Sequence, residues 1–285
     1  MTIHIAMPQM AANGLSENWL FKHCGDYHWT VLCENLGLSS SELCSDTGER
    51  LYPSFIAISA RYSRPLASIS ENEQFEESIT LSNFGRSFFC STVKISNQKT
   101  VLTQEMVTAF VSRLKEGTNS LRKSTPAASV AYGTPELAVP TALLQKSKQL
   151  RSGQLEFYRL LEHDIPLKGP GLGLVCEYLP SPYIDYNGAN LLYFASYPTI
   201  CDTLERQLIH KNSLFVSDTD WALSASTVAR DVFYSRNLDI GRALVARLKQ
   251  FLIVKDEVLT HTTLLALDDQ QPLAEVFTLK QLVRG

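Results

Sequence analysis

The segment Gly25-Asp26-Tyr27-His28-Trp29 recurs in outline as Ile184-Asp185-Tyr186-Asn187-Gly188, and each copy precedes a helical pattern. After the first copy, apolar residues are spaced as on one face of a helix at Trp29, Leu32, Cys33 and Leu36. After the second copy they continue at Leu191, Leu192, Ala195, Ile200 and Leu204. Aspartate is a favoured N-cap because its side chain accepts a hydrogen bond from a free backbone N–H. The pattern therefore predicts two helices that begin at Asp26 and Asp185, the first of them ending at Gly37.

A second repeat, Tyr-Ser-Arg, follows each predicted helix. Tyr62-Ser63-Arg64 and Tyr234-Ser235-Arg236 are each followed, after one further residue, by leucine. Both lie in stretches that are rich in β-formers and alternate in polarity, FIAISARYS and TVARDVFYS, as is typical of strands. Because the two echoes keep the same order, we predict two copies of one fold unit over residues 26–115 and 183–283. Repetition in both halves favours a structural role for Tyr-Ser-Arg.

Further strand candidates follow each Tyr-Ser-Arg segment. In the first half they read ESITLSNFG and SFFCSTVKI, and in the second ARLKQFLIV, LTHTTLLAL and PLAEVFTLK. One helix followed by several long antiparallel strands makes an α+β unit. A long helix wrapped by such a sheet is the hot-dog arrangement. We therefore predict an α+β double hot dog whose two sheets join edge to edge, which also hides edge strands.

The segment between the two halves differs in composition. Residues 117–153 are rich in glycine, serine, threonine and proline, with a weak helical pattern around Ala142–Leu150. This composition indicates a linker that is long enough to cross a face of the molecule. The predicted organisation is a first unit over 1–116, a linker over 117–153 and a second unit over 154–285.

Composition excludes several classes of function. The net charge of −3 gives no basic surplus for nucleic acid or an anionic membrane surface. The six cysteines form no Cys-x-x-Cys and no cluster with zinc spacing, so we predict no metal and reduced thiols packed as small hydrophobic groups. No signal peptide and no apolar run of about 20 residues is present, so a cytoplasmic protein is expected. Whether two chains pair as a homodimer stays open.

The first candidate for a catalytic site is the start of the second predicted helix, Asp185-Tyr186-Asn187-Gly188-Ala189-Asn190. This stretch resembles the D-x-N-G-x-x-N-type segment of hot-dog thioesterases. Free N–H groups at a helix start can hold a thioester carbonyl as it becomes an oxyanion. Asn187 and Asn190 could add amide donors, and Gly188 would let a substrate approach the backbone. Alternatively, the segment is an Asx-turn that only starts the helix.

The first half offers further candidates. His28 stands where Asn187 stands in the second copy, and it is either a general acid or base or a hydrogen-bonded histidine packed beside Trp29. Trp29 itself is typical of a core residue. Pro53 forces Tyr52 into an extended conformation, which could direct the phenol into a cleft, although spacing alone favours an ordinary packed aromatic. Arg50 could bind a carboxylate or a phosphate.

These residues resemble a family of biosynthetic double hot-dog proteins typified by the bifunctional acyltransferase/decarboxylase of leinamycin biosynthesis. The resemblance rests on LSENWLFKHCGDYHW (15–29), GERLYPSF (48–55) and DYNGANLLYFASYPTICDTLER (185–206). It implies an enzyme that decarboxylates methylmalonyl-coenzyme A and loads the acyl group onto the phosphopantetheine of an acyl carrier protein, as in polyketide biosynthesis, without another cofactor. It further implies that Tyr52 is the acyl acceptor. From the residues themselves we predict that His28 and Asn187 are also catalytic. The predicted substrate-binding residues are Asp26, Trp29, Arg50, Gly188, Asn190 and Tyr193.

Two other functions remain open from the residues alone. One is a hot-dog thioesterase or dehydratase on carrier-bound acyl thioesters, although a dehydratase needs a paired histidine and carboxylate and only His28 is in view. The other is a non-catalytic acyl-binding protein. In all three cases we expect the segments 26–29 and 187–190 to face one cleft between the two units.

Overall fold

The computed structural model describes residues 1–169, 171–215 and 220–283. Its helices are α1 (Glu17–Leu36), α2 (Ala142–Ser152), α3 (Ser196–Lys211) and α4 (Trp221–Ser224). The strands are β1 (Thr2–His4), β2 (Met10–Ala11), β3 (Gly14–Leu15), β4 (Tyr52–Tyr62), β5 (Gln74–Phe84), β6 (Phe88–Ser96), β7 (Val101–Arg113), β8 (Leu121–Lys123), β9 (Phe157–Leu160), β10 (His163–Pro166), β11 (Leu174–Tyr178), β12 (Ala225–Tyr234), β13 (Leu244–Val254), β14 (Glu257–Ala266) and β15 (Pro272–Leu282).

One antiparallel sheet of eleven strands runs through both halves. Its order is β1-β5-β6-β7-β4-β12-β15-β14-β13-β11, with β8 beside β7. The four long strands of each half have the same order, β5-β6-β7-β4 and β13-β14-β15-β12. Pairing of β4 with β12, from Ala57 opposite Phe233 to Arg61 opposite Ala229, joins the halves edge to edge as predicted. The junction therefore leaves neither central strand with an open edge.

Both halves also have a β-bulge in the strand that forms the junction. Pairing of β4 with β7 shifts register between Phe55 and Ala57, and pairing of β12 with β15 shifts between Thr227 and Ala229. Such bulges bend a strand and increase its twist. Both Tyr-Ser-Arg segments mark the ends of the junction strands, because Tyr62 is the last residue of β4 and Tyr234 the last of β12. Each half is thus one helix and a bent four-stranded sheet, in agreement with the predicted α+β unit.

The helices α1 and α3 pack on one face of the sheet, where a core cluster combines Phe21, Ile58, Ile200 and Val232. The opposite face is covered by α2 and the β9–β10 hairpin. There, Leu143 and Leu144 of α2 pack with Ala57 and Phe277. The segment predicted as a linker, 117–153, therefore contains an ordered helix, and it crosses the outer face of the sheet. Within the described ranges no helix combines the length and the apolar character that a membrane crossing requires.

Candidate functional site

A cleft of about 780 Å³ opens where the two units meet. The first unit contributes Gly25, Asp26 and Trp29 of α1, the start of β4 and the 119–121 segment. The second contributes residues 187–189, 191–194, 197, 234–237, 239 and 242, and Arg151 reaches in from α2. The two segments expected to share a cleft, 26–29 and 187–190, therefore do meet at the junction.

The first of these segments is not a helix start, which corrects the prediction for Asp26. Helix α1 begins at Glu17, and Ser16 is its N-cap, with the Ser16 side chain accepting from the Trp19 N–H. Asp26 consequently lies in the middle of α1, where backbone N–H groups bond to carbonyls one turn earlier. What α1 presents to the cleft is the exposed Asp26 carboxylate rather than free N–H donors. The predicted end of this helix at Gly37 is correct, with Gly37 left-handed at φ 64°.

His28 does not face the cleft. Its side chain is fully buried, with Nδ1 2.7 Å from Ser91 Oγ and Nε2 3.0 Å from Thr108 Oγ1. Burial lowers the pKa of His28 to about 4, because the protein interior disfavours the charged imidazole. The hydroxyl partners and the burial make His28 a satisfied core histidine, and the expectation of a catalytic role for it is corrected.

The second segment is a turn that precedes its helix. Helix α3 begins at Ser196, and Asp185 is buried in the turn, where Oδ2 accepts from the Tyr178 hydroxyl at 3.0 Å and the Ser181 N–H at 2.8 Å. The prediction that Asp185 begins the helix is therefore wrong. Burial, together with the bond to Asp185, raises the pKa of Tyr178 to about 12. Asp185 holds the turn in place and takes no part in the cleft wall.

Asn187 lines the cleft, and its side-chain oxygen is held within the turn. Its Oδ1 accepts from the N–H groups of Ala189 and Leu191, at 3.0 and 3.1 Å, which is the geometry of an Asx-turn. No acceptor for the Asn187 Nδ2 group is present among the described residues, so its two N–H bonds are available to a ligand. Gly188 lines the cleft beside it, and a Cβ atom there would meet nothing within 4 Å. Asn190 is exposed and has a left-handed φ of 57°, and its binding role stays a prediction.

Two residues that were not predicted attach this turn to the first unit. Arg113, the last residue of β7, donates to the carbonyl of Ala189 and, at 2.8 Å, to that of Thr118. Asn119 is buried, and its Nδ2 donates to the carbonyls of Asn190 and Leu238 at 2.7 and 2.8 Å. Both residues act across long sequence separations, which no local pattern in the sequence reveals.

Tyr52 also lines the cleft, half-buried at the start of β4. The guanidinium carbons of Arg50 and Arg113 lie 5.3 and 5.5 Å from its ring centre, within cation–π range. Since Arg113 also holds Ala189, the ring stands close to the Asn187 turn. Arg50 is exposed at the cleft, and it pairs with no carboxylate within residues 1–169, 171–215 and 220–283.

The structures of three thioesterases are similar to this chain over its whole length. No family model and no curated protein matches the sequence. A protein from Lactobacillus plantarum assigned as an oleoyl thioesterase is 13% identical, covers 100% of this chain and 95% of its own, and gives a TM-score of 0.69. The 12:0-ACP thioesterase from Umbellularia californica is 10% identical, with 99% and 93% covered and a TM-score of 0.65. An acyl-ACP thioesterase from Bacteroides thetaiotaomicron is 11% identical, with 99% and 96% covered and a TM-score of 0.61.

The chain has the double hot-dog fold. At these identities the likeness shows the fold alone, so the chemistry must be argued from the site.

The other end of the junction, where the turn before α1 meets the start of β12, corresponds to the cleft in the second copy of the repeat. There, Asn13 Nδ2 donates to the carbonyls of Ala222 and Ala225 at 3.0 and 3.3 Å. A Cβ atom at Gly14 would overlap the carbonyl oxygen of Leu66, so the turn packs closely against the segment that follows β4. The Asn13 amide is thus bonded within the protein, whereas the Asn187 amide is free.

Tyr193 and Asp26 are neighbours on the cleft wall. Burial raises the pKa of Tyr193, and the negative charge of Asp26 raises it further. The other carboxylate in the wall belongs to Asp239. Its Oδ1 accepts a hydrogen bond from the Asn119 N–H at 2.6 Å. Among the described residues that line the cleft there is no histidine, cysteine or glutamate. Asp26 is therefore the carboxylate in this cleft that has no hydrogen-bond donor among the described residues.

Proposed function

We propose that this double hot-dog protein is an enzyme that hydrolyses an acyl thioester carried by coenzyme A or by an acyl carrier protein. The observation that carries the proposal is the junction cleft, where the free Asp26 carboxylate and the free Asn187 amide line one cavity. The names of the structural neighbours, an acyl-ACP thioesterase among them, support the same class of substrate.

In the proposed hydrolysis Asn187 and Asp26 each have one role. The Asn187 Nδ2 group donates to the thioester carbonyl oxygen and stabilises the negative charge that develops there. Asp26 accepts a proton from a water molecule, whose oxygen attacks the carbonyl carbon. The carbon–sulphur bond then breaks, the acid is released, and the proton passes from Asp26 to the thiolate. Tyr193 lies beside Asp26, and its phenol can hold the attacking water.

Product analysis tests this proposal. Purified protein is incubated with a panel of acyl-coenzyme A and acyl-carrier thioesters, and free thiol and free acid are measured. We expect both products from the wild type and a loss of at least about 10²-fold in kcat with Asp26→Asn, because a general base typically contributes 10²–10⁴-fold. Glu34→Gln is the matched control, since Glu34 is an exposed carboxylate of the same helix outside the cleft lining. Full activity in Asp26→Asn would remove Asp26 from the mechanism.

A second candidate function is the transfer of a decarboxylated acyl group to a carrier protein. The resemblance to the leinamycin-type family supports it, as does the position of Tyr52 in the cleft between the guanidinium groups of Arg50 and Arg113. In this case the Tyr52 oxygen attacks the methylmalonyl thioester and releases the thiol. Arg50 holds the carboxylate until the carbon–carbon bond breaks, carbon dioxide leaves and the enolate is protonated. A carrier thiol then takes the acyl group.

The same panel separates the two candidates when methylmalonyl-coenzyme A and a carrier protein are included. Hydrolysis gives methylmalonic acid, whereas transfer gives a propionyl carrier and carbon dioxide. Intact-mass spectrometry after a brief pulse would show an acyl adduct on the wild type and none on Tyr52→Phe if Tyr52 is the acceptor. Free acid without an adduct would support hydrolysis and exclude the transfer route.

A further inference from the structure

The side chain of Phe194 lies in the cleft lining, between α1 and the sheet. Its ring centre is 4.0 Å from that of Phe55 in β4. On its other side, a Cβ atom at Gly25 of α1 would be only 2.2 Å from Phe194 Cζ. The ring therefore fills the whole distance between the helix and the sheet, and a glycine is needed at residue 25 because the ring occupies the space of a side chain.

The surroundings keep the ring in this place. The Tyr234 hydroxyl donates to the Phe194 carbonyl at 3.1 Å, and the Tyr193 ring packs edge-on at 4.7 Å. Cys24, which precedes Gly25 in α1 and belongs to the same core cluster, is 1% exposed and does not line the cleft, so the helix is closely packed at this point. An apolar chain directed between α1 and the sheet at this point would meet the ring.

We infer that Phe194, seated on Gly25, is a specificity-determining residue that closes the acyl pocket and restricts the enzyme to short acyl groups. The inference rests on the proposed function, because it assigns the layer between α1 and the sheet to the acyl chain. Removing the ring enlarges the apolar part of the cleft between Gly25 and Phe55, and longer chains then gain contact with these walls.

The packing that underlies the inference is tested without any substrate. In the wild type, Gly25→Ala places a Cβ against the ring, and we expect a lower urea midpoint because overpacking destabilises a core. In a Phe194→Ala background the same change has room, and we expect a higher midpoint because alanine favours a helix interior over glycine. The same effect of Gly25→Ala in both backgrounds would show that the ring does not rest on Gly25.

Ligand binding tests the specificity. S-alkyl-coenzyme A thioethers, from ethyl to decyl, are titrated into the wild type and Phe194→Ala, and 1-alkanols of the same lengths serve as probes that need no coenzyme A site. We expect no gain in wild-type affinity from hexyl to decyl. In Phe194→Ala we expect a gain of up to about fourfold for each added methylene that becomes buried.

The thioether and alkanol series together distinguish a wrong role for Phe194 from a wrong substrate class. Wild-type affinity that keeps rising through decyl, or parallel alkanol profiles in both proteins, overturns the role of Phe194. If neither protein binds any thioether while the alkanol profiles diverge as expected, the pocket assignment stands and the proposed substrate class is wrong.

Discussion

Acidification tests the assignment of His28 to the core. The free imidazole has a pKa near 6.5, and burial lowers it to about 4 in the folded chain. Between these values the unfolded state binds the proton and the folded state does not, so stability present at neutral pH is lost as the pH falls from about 6.5 toward about 4. The full difference corresponds to about 3 kcal/mol, of which about 2 kcal/mol should be lost by about pH 5.

His28→Gln supplies the comparison. The glutamine amide can donate to one hydroxyl and accept from the other, so Ser91 and Thr108 keep partners while the titrating group is gone. The free energy of unfolding is measured in urea by tryptophan fluorescence at about pH 7.5 and about pH 5. His261, whose pKa burial also lowers, titrates in both proteins and cancels in the comparison. Equal losses in the wild type and His28→Gln would mean that His28 titrates normally, and an acid–base role would have to be reconsidered.

Three further predictions concern the cleft and the core. Asn187→Asp keeps the acceptor for Ala189 and Leu191 but removes the free donor, so kcat should fall by about 10²–10³-fold with little change in the unfolding midpoint; Asn187→Ala should lower both. Gly188→Ala should fold normally, because a Cβ there meets nothing within 4 Å, and a raised KM in steady-state assays would place the substrate against this backbone. Arg230→Met should cost about 3–5 kcal/mol in urea unfolding, because fully buried Arg230 pairs with Glu17 and Asp202 at 2.8 Å each. Arg206→Ala, which breaks an exposed pair with Asp220, should leave the urea midpoint nearly unchanged.

The fold could be predicted because its evidence is local and occurs twice. The Tyr-Ser-Arg segments identified β4 and β12 as strands, and the order of elements in each half led to two units joined edge to edge. The structure shows that β4 and β12 are the strands that join them. Helix starts were harder, because one residue decides them. Asp26 looked like an N-cap, yet Ser16 performs that role, and the apolar pattern used to place the helix began too late to show it.

The site could be predicted only where its residues lie close to a recognisable segment. Asp26, Tyr52, Asn187, Gly188 and Tyr193 all line the cleft. Other contributors were invisible in the sequence, because their contacts are made across the fold. Asn119 is the clearest case, because it lies in the segment predicted as a linker. It supports the site through hydrogen bonds to the carbonyls of Asn190 and Leu238 in the other unit.

His28 is a residue that was predicted for the site but lies in the core. Its place beside the Asp-Tyr pair suggested equivalence with Asn187, but the helix that carries it turns its side chain into the core. A sequence does not specify which side of a helix faces a cleft until the packing of both units is known.

In the proposed mechanism the junction cleft holds a thioester between Asp26 and Asn187. The most direct measurement is a crystal structure of the protein with a butyryl-coenzyme A analogue in which a methylene group replaces the thioester sulphur. We expect the carbonyl oxygen within about 3 Å of Asn187 Nδ2, a water molecule or the Asp26 carboxylate next to the carbonyl carbon, and the acyl end against Phe194. An analogue bound with its carbonyl away from both residues, or outside the cleft, would contradict the account.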